Sequence, residues 1–361
     1  MKNLRKLCSF IIALTMTIGI TVYTQAASRE ELSSIHVSQA GDFKYWTDNS
    51  PAKQILVNYI KDITNKKSPD FVPVQDRIAV FDLDGTLICE TTPSYFEWMM
   101  YLHRVLDDPT YTPPADVRTE ALAVKNAIKD GHMPPEMERD EAISQAKAFS
   151  NMTFPEYTKY VRDFMQTPAE GMINLKRGES FYMPMVEVVS YLQSNDFTVY
   201  IVSGTDRPAL RVLVDGVLKI TPNNIIGTDT AILASHQNGK DGLDYVYSKD
   251  DQLVRGDFIL KNVKMNKVSN IAREIGKQPI LAFGNSSGDF SMYQYTITNN
   301  KYKSAAFTLL CDDTSREFGN QQKADAMAKS AKDNGWTVIS MKNDFKTIYG
   351  PGVKKAVITN K

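Results

Sequence analysis

Four short segments carry unbroken apolar character: IAVF at 78–81, FTVYIV at 197–202, PILAFG at 279–284 and AAFTLL at 305–310. Runs of this length, rich in β-branched and aromatic residues, fit strands buried on both faces of a parallel sheet. Between them the period lengthens. MPMVEVVSYLQSN puts Pro184 at a helix start and Met185, Val188, Val189 and Leu192 at helical spacing, with Asn195 ending the helix. Asp206 can cap a further helix with Pro208 in its first turn and Leu210, Leu213, Val214 and Val217 facing inward. NNIIGT reads as a short strand, and residues 228–262 alternate in pieces such as LDYVYS and GDFIL, which predicts antiparallel strands or hairpins at one edge. A helix over about 266–276 and a last strand near Trp336, itself a core residue on this reading, complete the pattern.

Upstream, DNSPAKQILVNYIKDITN offers Asp48 to Ser50 as caps, Pro51 in the first turn and Ile55, Leu56, Tyr59, Ile60 and Ile63 on one face. From about 93 to 179 the chain is polar, helix-compatible and broken by prolines, without a strand pattern. The expected fold class is therefore α/β: a doubly wound, Rossmann-like parallel sheet with a helical cap inserted after the first strand. The expected divisions are an N-terminal helical extension at 28–75, a core at 76–92 and 180–361, and the cap at 93–179.

Residues 1–27 place Lys2, Arg5 and Lys6 before an apolar stretch from Leu7 to Val22, with Ala26 and Ala27 at a plausible cleavage point. This predicts a signal peptide and export to the periplasm or the extracellular space. The alternative is an uncleaved anchor, the one route to a membrane, but the run is short against the roughly 20 residues a span needs. The 42 basic and 42 acidic residues balance, so losing those three cations leaves a net charge of about −3, which argues against a nucleic-acid partner. Cys89 and Cys311 could pair after export, yet two cysteines imply no disulfide framework. His36, His103, His132 and His236 lie in unrelated segments and support neither a zinc site nor a Ser-His-Asp triad.

The strand ends carry the chemistry. Asp82 and Asp84 follow the first strand, Ser203 and Thr205 the second, Asn285 and Asp289 the PILAFG strand, and Asp312 and Asp313 the last apolar run. Ligands of a doubly wound sheet gather at the carboxyl ends of its strands. A lone DxD is ordinarily a solvated turn; polar residues at every strand end weigh against that here. Asp82 and Asp84 can converge if the chain turns after Asp82, as Gly85 permits. Their repulsion calls for a divalent cation, and an oxygen-only donor set favours Mg²⁺. Beside such a cation one aspartate can attack phosphorus while its neighbour protonates the leaving oxygen and then activates water.

DLDGT at 82–86, VSGT containing Ser203, a lysine ahead of PILAFG and GNSSGD at 284–289 resemble, in order and context, the four motifs of the haloacid dehalogenase superfamily of phosphatases. The similarity covers about 76–92 and 180–320. FDLDGTLICE, AFGNSSGD and CDDTSREF also resemble segments of a secreted or membrane-associated branch. The resemblance implies a Mg²⁺-dependent phosphomonoester hydrolase of the phosphoserine-phosphatase-like kind, acting on a small-molecule phosphoester. It implies Asp82 as nucleophile, Asp84 as general acid and base, and Thr86, Ser203, Gly204 and Lys267 around the phosphoryl group. Asp82, Asp84 through its backbone carbonyl, Asn285 and Asp289 would serve the metal. Lys267 is preferred to Lys264 for the phosphate-binding lysine. Asn285 departs from the family, which carries aspartate there, and implies weaker metal binding. Glu90, Tyr95, Phe96 and Arg207 could contact the leaving group, but a packing or surface role is the preferred reading for each. Asp312 and Asp313 either steady the metal or merely end the strand. A phosphotransferase using the same intermediate, or an exported binding protein that kept the fold, stand as alternatives; a dehalogenase would give the second aspartate no task.

Overall fold

The structure is a computed structural model that describes residues 26–356; the proposed signal segment falls almost wholly outside them. In chain order the chain forms α1 (Arg29–Ser34), α2 (Pro51–Thr64) and strand β1 (Ile78–Phe81). Four helices come next: α3 (Phe96–Leu102), α4 (Ala115–Asp130), α5 (Met137–Ala148) and α6 (Phe154–Met165). A two-residue strand, β2 (Met172–Ile173), leads back to the core. There α7 (Met183–Ser194), β3 (Thr198–Asp206), α8 (Arg207–Val214), β4 (Ile225–Ala234) and β5 (Leu253–Leu260) follow. The chain ends with α9 (Met265–Asn270), β6 (Leu281–Gly284), α10 (Phe290–Ile297), β7 (Ala305–Leu310), α11 (Gln321–Asn334), β8 (Thr337–Ser340) and β9 (Lys354–Lys355).

Among the described residues seven strands form one sheet in the order β5-β4-β3-β1-β6-β7-β8. All neighbours are parallel except β4 and β5, which run antiparallel at the edge. The alternation of side chains sorts the sheet into two buried faces. Phe81, Ile201, Phe283 and Phe307 face the layer of α2 and α7, with Phe81 stacked on Phe283 at 4.2 Å and Phe283 on Phe307 at 4.9 Å. Val80, Val202, Ala282 and Ala306 face the opposite layer, where Trp336 packs beside Met292 and Tyr293. Each large apolar side chain so buried contributes about 1.5–3 kcal/mol, and α3–α6 rise from the carboxyl edge of the sheet as a cap.

Several local readings differ from the pattern in the sequence. Ser50 accepts from Lys53 N and caps α2, but Ile55 is 47% exposed while Leu56, Tyr59, Ile60 and Ile63 are buried; Ile55 sits one residue off the 3.6-residue stripe and turns outward. Strand β4 runs on to Ala234 because its second half is claimed by the hairpin partner β5. Helix α9 stops at Asn270 and continues as a wider π turn, ended by Gly276 at φ +69°. Cys89 and Cys311 are free thiols.

The N-terminal segment is bound along the core. Trp46 lies edge-on to Phe345 at 5.2 Å and donates from Nε1 to the Pro184 carbonyl at 2.8 Å. Ala26 and Ala27 donate from their backbone N–H groups to Asn174 and Tyr349. Among the described residues no helix is long and apolar enough to cross a membrane.

Candidate active site

β1 ends at Phe81, and Asp82 N still donates across to Phe283 O at 2.9 Å. The chain then folds tightly, with the Leu83 carbonyl accepting from Thr86, Leu87 and Ile88. Gly85 makes this turn at φ +71°, and a methyl group there would collide with Asn285 and Glu90; only glycine satisfies both demands. Asp82 and Asp84 are thereby held at the sheet edge, 7% and 6% exposed.

The other strand ends close on this loop. Thr205 Oγ1 donates to Asp84 Oδ2 at 2.6 Å, and Ser203 is buried two residues earlier, its carbonyl held by Asn262. Lys267 projects from α9 and donates from Nζ to Asp82 Oδ1 and to Asp289 Oδ1, both at 2.7 Å. Asp289 uses its other oxygen to accept from the backbone N–H groups of Asn285 and Ser286. Thr86 Oγ1 lies at the hydrogen-bond limit, 3.5 Å, from Asn285 Oδ1. The structure thus brings Asp82, Asp84, Thr86, Ser203, Gly204, Lys267, Asn285 and Asp289 to one place. Lys264 stands on the same cavity wall, without a bond to any of these carboxylates among those described.

Three buried carboxylates face one buried ammonium. Burial raises the pKa of Asp82; Lys267 opposes the rise, and Asp289 and Asp84 add to it. Burial pushes Asp84 up to about 6, the Thr205 hydrogen bond opposing and Glu97 and Glu90 adding. Burial works against the Lys267 ammonium, but Asp289 and Asp82 outweigh it and its pKa rises. Asp84 Oδ1 is buried and accepts no hydrogen bond. An excess of buried negative charge with an unserved oxygen suits a hard cation. Among the described residues no three His, Cys, Asp or Glu side chains group as a metal cluster; the donors available here are carboxylate, backbone carbonyl and the Asn285 amide, so the residues present fit Mg²⁺ through a mixed oxygen set.

Above this floor opens a cavity of about 700 Å³. The cap contributes Tyr95, Trp98, Pro134 and Glu138 to its wall, and the core contributes Phe290, Lys323 and Met327. Tyr95 and Trp98 meet edge to face at 5.3 Å. Of the four leaving-group candidates, Glu90 and Tyr95 line the cavity. Phe96 is buried against Phe164 in the cap, and Arg207 is engaged by Asp229 and Glu274. Asp312 accepts from Ser340 and Lys342, and Asp313 from Ser315 and Arg316, so both brace the loop after β7.

Sequence reasoning missed the charged seam between cap and core. Lys261 donates to Glu97 at 2.6 Å and stands 3.5 Å from Glu141 on α5. Arg255 grips Asp206 through both terminal nitrogens, at 3.1 and 2.8 Å, and Tyr157 OH donates to the same carboxylate at 2.9 Å.

A mostly parallel sheet with a helical cap, carrying paired aspartates after the first strand, defines a capped, doubly wound α/β protein. The model of haloacid dehalogenase-like hydrolases matches residues 79–294, from β1 through the cap into α10, and the chain belongs to that family. No curated protein sequence matches it. Among solved structures it is similar to a functionally unknown protein from Anaerococcus prevotii DSM 20548, at 14% identity and TM-score 0.47, over 80% of this chain and 91% of that one. It is similar to a phosphoserine phosphohydrolase-like protein from Francisella tularensis subsp. tularensis SCHU S4, at 16% identity and TM-score 0.40, over 73% and 94%. Cytosolic 5'-nucleotidase IIIB bound to cytidine is a third, at 12% identity and TM-score 0.48, over 82% and 88%.

Proposed function

We propose that the protein is a Mg²⁺-dependent phosphomonoesterase that works through an aspartyl-phosphate on Asp82. The observation that carries this reading is the convergence of Asp82, Asp84, Ser203 and Lys267 at the floor of one cavity, with a buried Asp84 oxygen left free of donors. A carboxylate of Asp82 attacks phosphorus as the bond to the leaving oxygen breaks, and Asp84 gives that oxygen its proton. Asp84 then takes a proton from water as the water attacks the aspartyl-phosphate, which frees phosphate and regenerates Asp82. Ser203 and Lys267 hold phosphoryl oxygens through both steps, with Thr86 and the Gly204 backbone beside them, and Asp289 fixes Lys267 in place. Mg²⁺, held by Asp82, the Asp84 carbonyl and Asn285 with Asp289 behind them, supplies charge neutralisation at the phosphoryl group.

A small phosphorylated metabolite of the phosphoserine or phosphocholine type is the substrate class this reading favours, since Tyr95, Trp98 and Glu138 suit a leaving group bearing an ammonium. The basic and apolar pattern of residues 1–27 supports export to the periplasm or the extracellular space, which cell fractionation tests. The enzymatic test is phosphate release from a panel of phosphorylated metabolites with Mg²⁺ and with a chelator. Release that stops on chelation is expected. No release from any member, or release indifferent to the metal, overturns the proposal.

A further inference from the structure

A second carboxylate on the same cavity carries an unserved oxygen. Glu90 is 8% exposed; its Oε1 takes the Lys323 ammonium at 2.5 Å, and its Oε2 is buried without a donor. A methyl group built on Gly85 would strike Asn285 Nδ2 and both Cδ and Oε2 of Glu90. The amide NH₂ and the free carboxylate oxygen therefore crowd one point against the loop that carries Asp84, while Asn285 Oδ1 faces Thr86 on the other side.

This placement answers a difficulty of the Asn285 position. An amide offers a cation one useful end, its oxygen; its NH₂ end repels the ion. An aspartate has no such preference, because either oxygen serves. A carboxylate set on the Nδ2 side attracts the NH₂ and turns Oδ1 the other way, and outer partners of this sort orient metal ligands. Lys323, by holding Oε1 from α11, leaves Oε2 free on the side of Gly85 where the amide NH₂ also lies. Were residue 285 an aspartate, two carboxylates would meet over Gly85 with that one lysine to balance them.

We propose that Glu90 is a positioning residue for Asn285: its free oxygen, unbonded in this structure, attracts the neighbouring Asn285 NH₂ and so presents the amide oxygen to Mg²⁺, the pair Glu90 and Asn285 doing the work of a single aspartate. The inference rests on the Mg²⁺ site proposed above. In the E90Q variant the glutamine oxygen goes to Lys323 and its NH₂ turns toward Asn285, reversing the field that orients the amide.

The test is Mg²⁺ binding to the protein by isothermal titration calorimetry, in the absence of substrate, for wild type, E90Q, N285D and the double variant. E90Q is expected to weaken Mg²⁺ affinity by about tenfold or more. In the N285D background the same substitution should cost little, because no amide then needs orienting. Equal losses in both backgrounds, or no loss in either, overturn the inference. So does an E90Q variant that binds Mg²⁺ like wild type but raises KM for ammonium-bearing phosphoesters, which would make Glu90 a leaving-group contact. Glu90→Asp, which keeps the charge and shortens the reach, should show the same tenfold loss if the glutamine variant does not fold. Wild type that binds no Mg²⁺ overturns this inference and the metal site together, whereas phosphate release with unchanged E90Q binding overturns this inference alone.

Discussion

Thr205 and Asp206 are neighbours at the end of β3, and they look into two different buried carboxylate environments. Thr205 donates to Asp84, whose second oxygen has no donor and borders the cavity. Asp206 turns the other way, where Arg255 and Tyr157 serve both of its oxygens with three hydrogen bonds and Ala209 N adds a fourth. Both carboxylates are removed from water, at a cost that only hydrogen bonds and counter-charge offset. Asp206 has met that demand inside the protein, so its charge serves to fasten the cap to the core. Asp84 has met half of it, which leaves its other half for a proton, a cation or a substrate.

The contrast can be broken at three places. The largest effect belongs to the cavity side. Asp82→Asn should lower phosphate release on the order of 10³-fold or more while leaving the urea midpoint unchanged or raised, since one of three crowded negative charges is removed. Normal turnover in that variant would take Asp82 out of the nucleophile's role. On the fastened side the sign reverses. Arg255→Met leaves Asp206 buried with its counter-charge gone and should cost about 3–5 kcal/mol of stability, read as a fall in the urea midpoint; an unmoved midpoint would mean the seam carries no such load.

The smallest effect sharpens the comparison at Glu141, a fully buried carboxylate on α5 whose two oxygens accept no hydrogen bond although Lys261 is within ion-pair range. Burial raises its pKa despite Lys261, so the folded protein holds this proton more tightly than the unfolded chain. Stability should therefore fall as pH rises through and above the ordinary carboxylate range. Glu141→Gln removes the titrating group and should flatten that slope in pH-dependent denaturation; an unaltered slope would assign it to other groups.

Much of the core was legible because a strand buried on both faces has a plain signature, and its polar residues collect where the apolar run stops. Asp82, Asp84, Ser203, Asn285 and Asp289 could be found that way. Lys267 depended on motif resemblance, since nothing in its local spacing separates it from Lys261 or Lys264. The cap seam was not legible: Glu97, Glu141, Lys261 and Arg255 are ordinary surface residues by sequence, and only tertiary packing buries them. Lys323 is a similar case, one of several lysines on α11 and the one that reaches Glu90. Arg207, for which a packing or surface role is the preferred reading, is held by Asp229 and Glu274.

The indole of Trp46 finds its nearer ring partner and its acceptor in residues made long after it, Phe345 and Pro184. A nascent chain delivered from its amino end must carry that aromatic surface uncovered until nearly the whole polypeptide has emerged. Completion of the molecule is thus postponed to the final stage of synthesis, and a ribosome halted before residue 345 would leave Trp46 with Phe43 beside it but without Phe345.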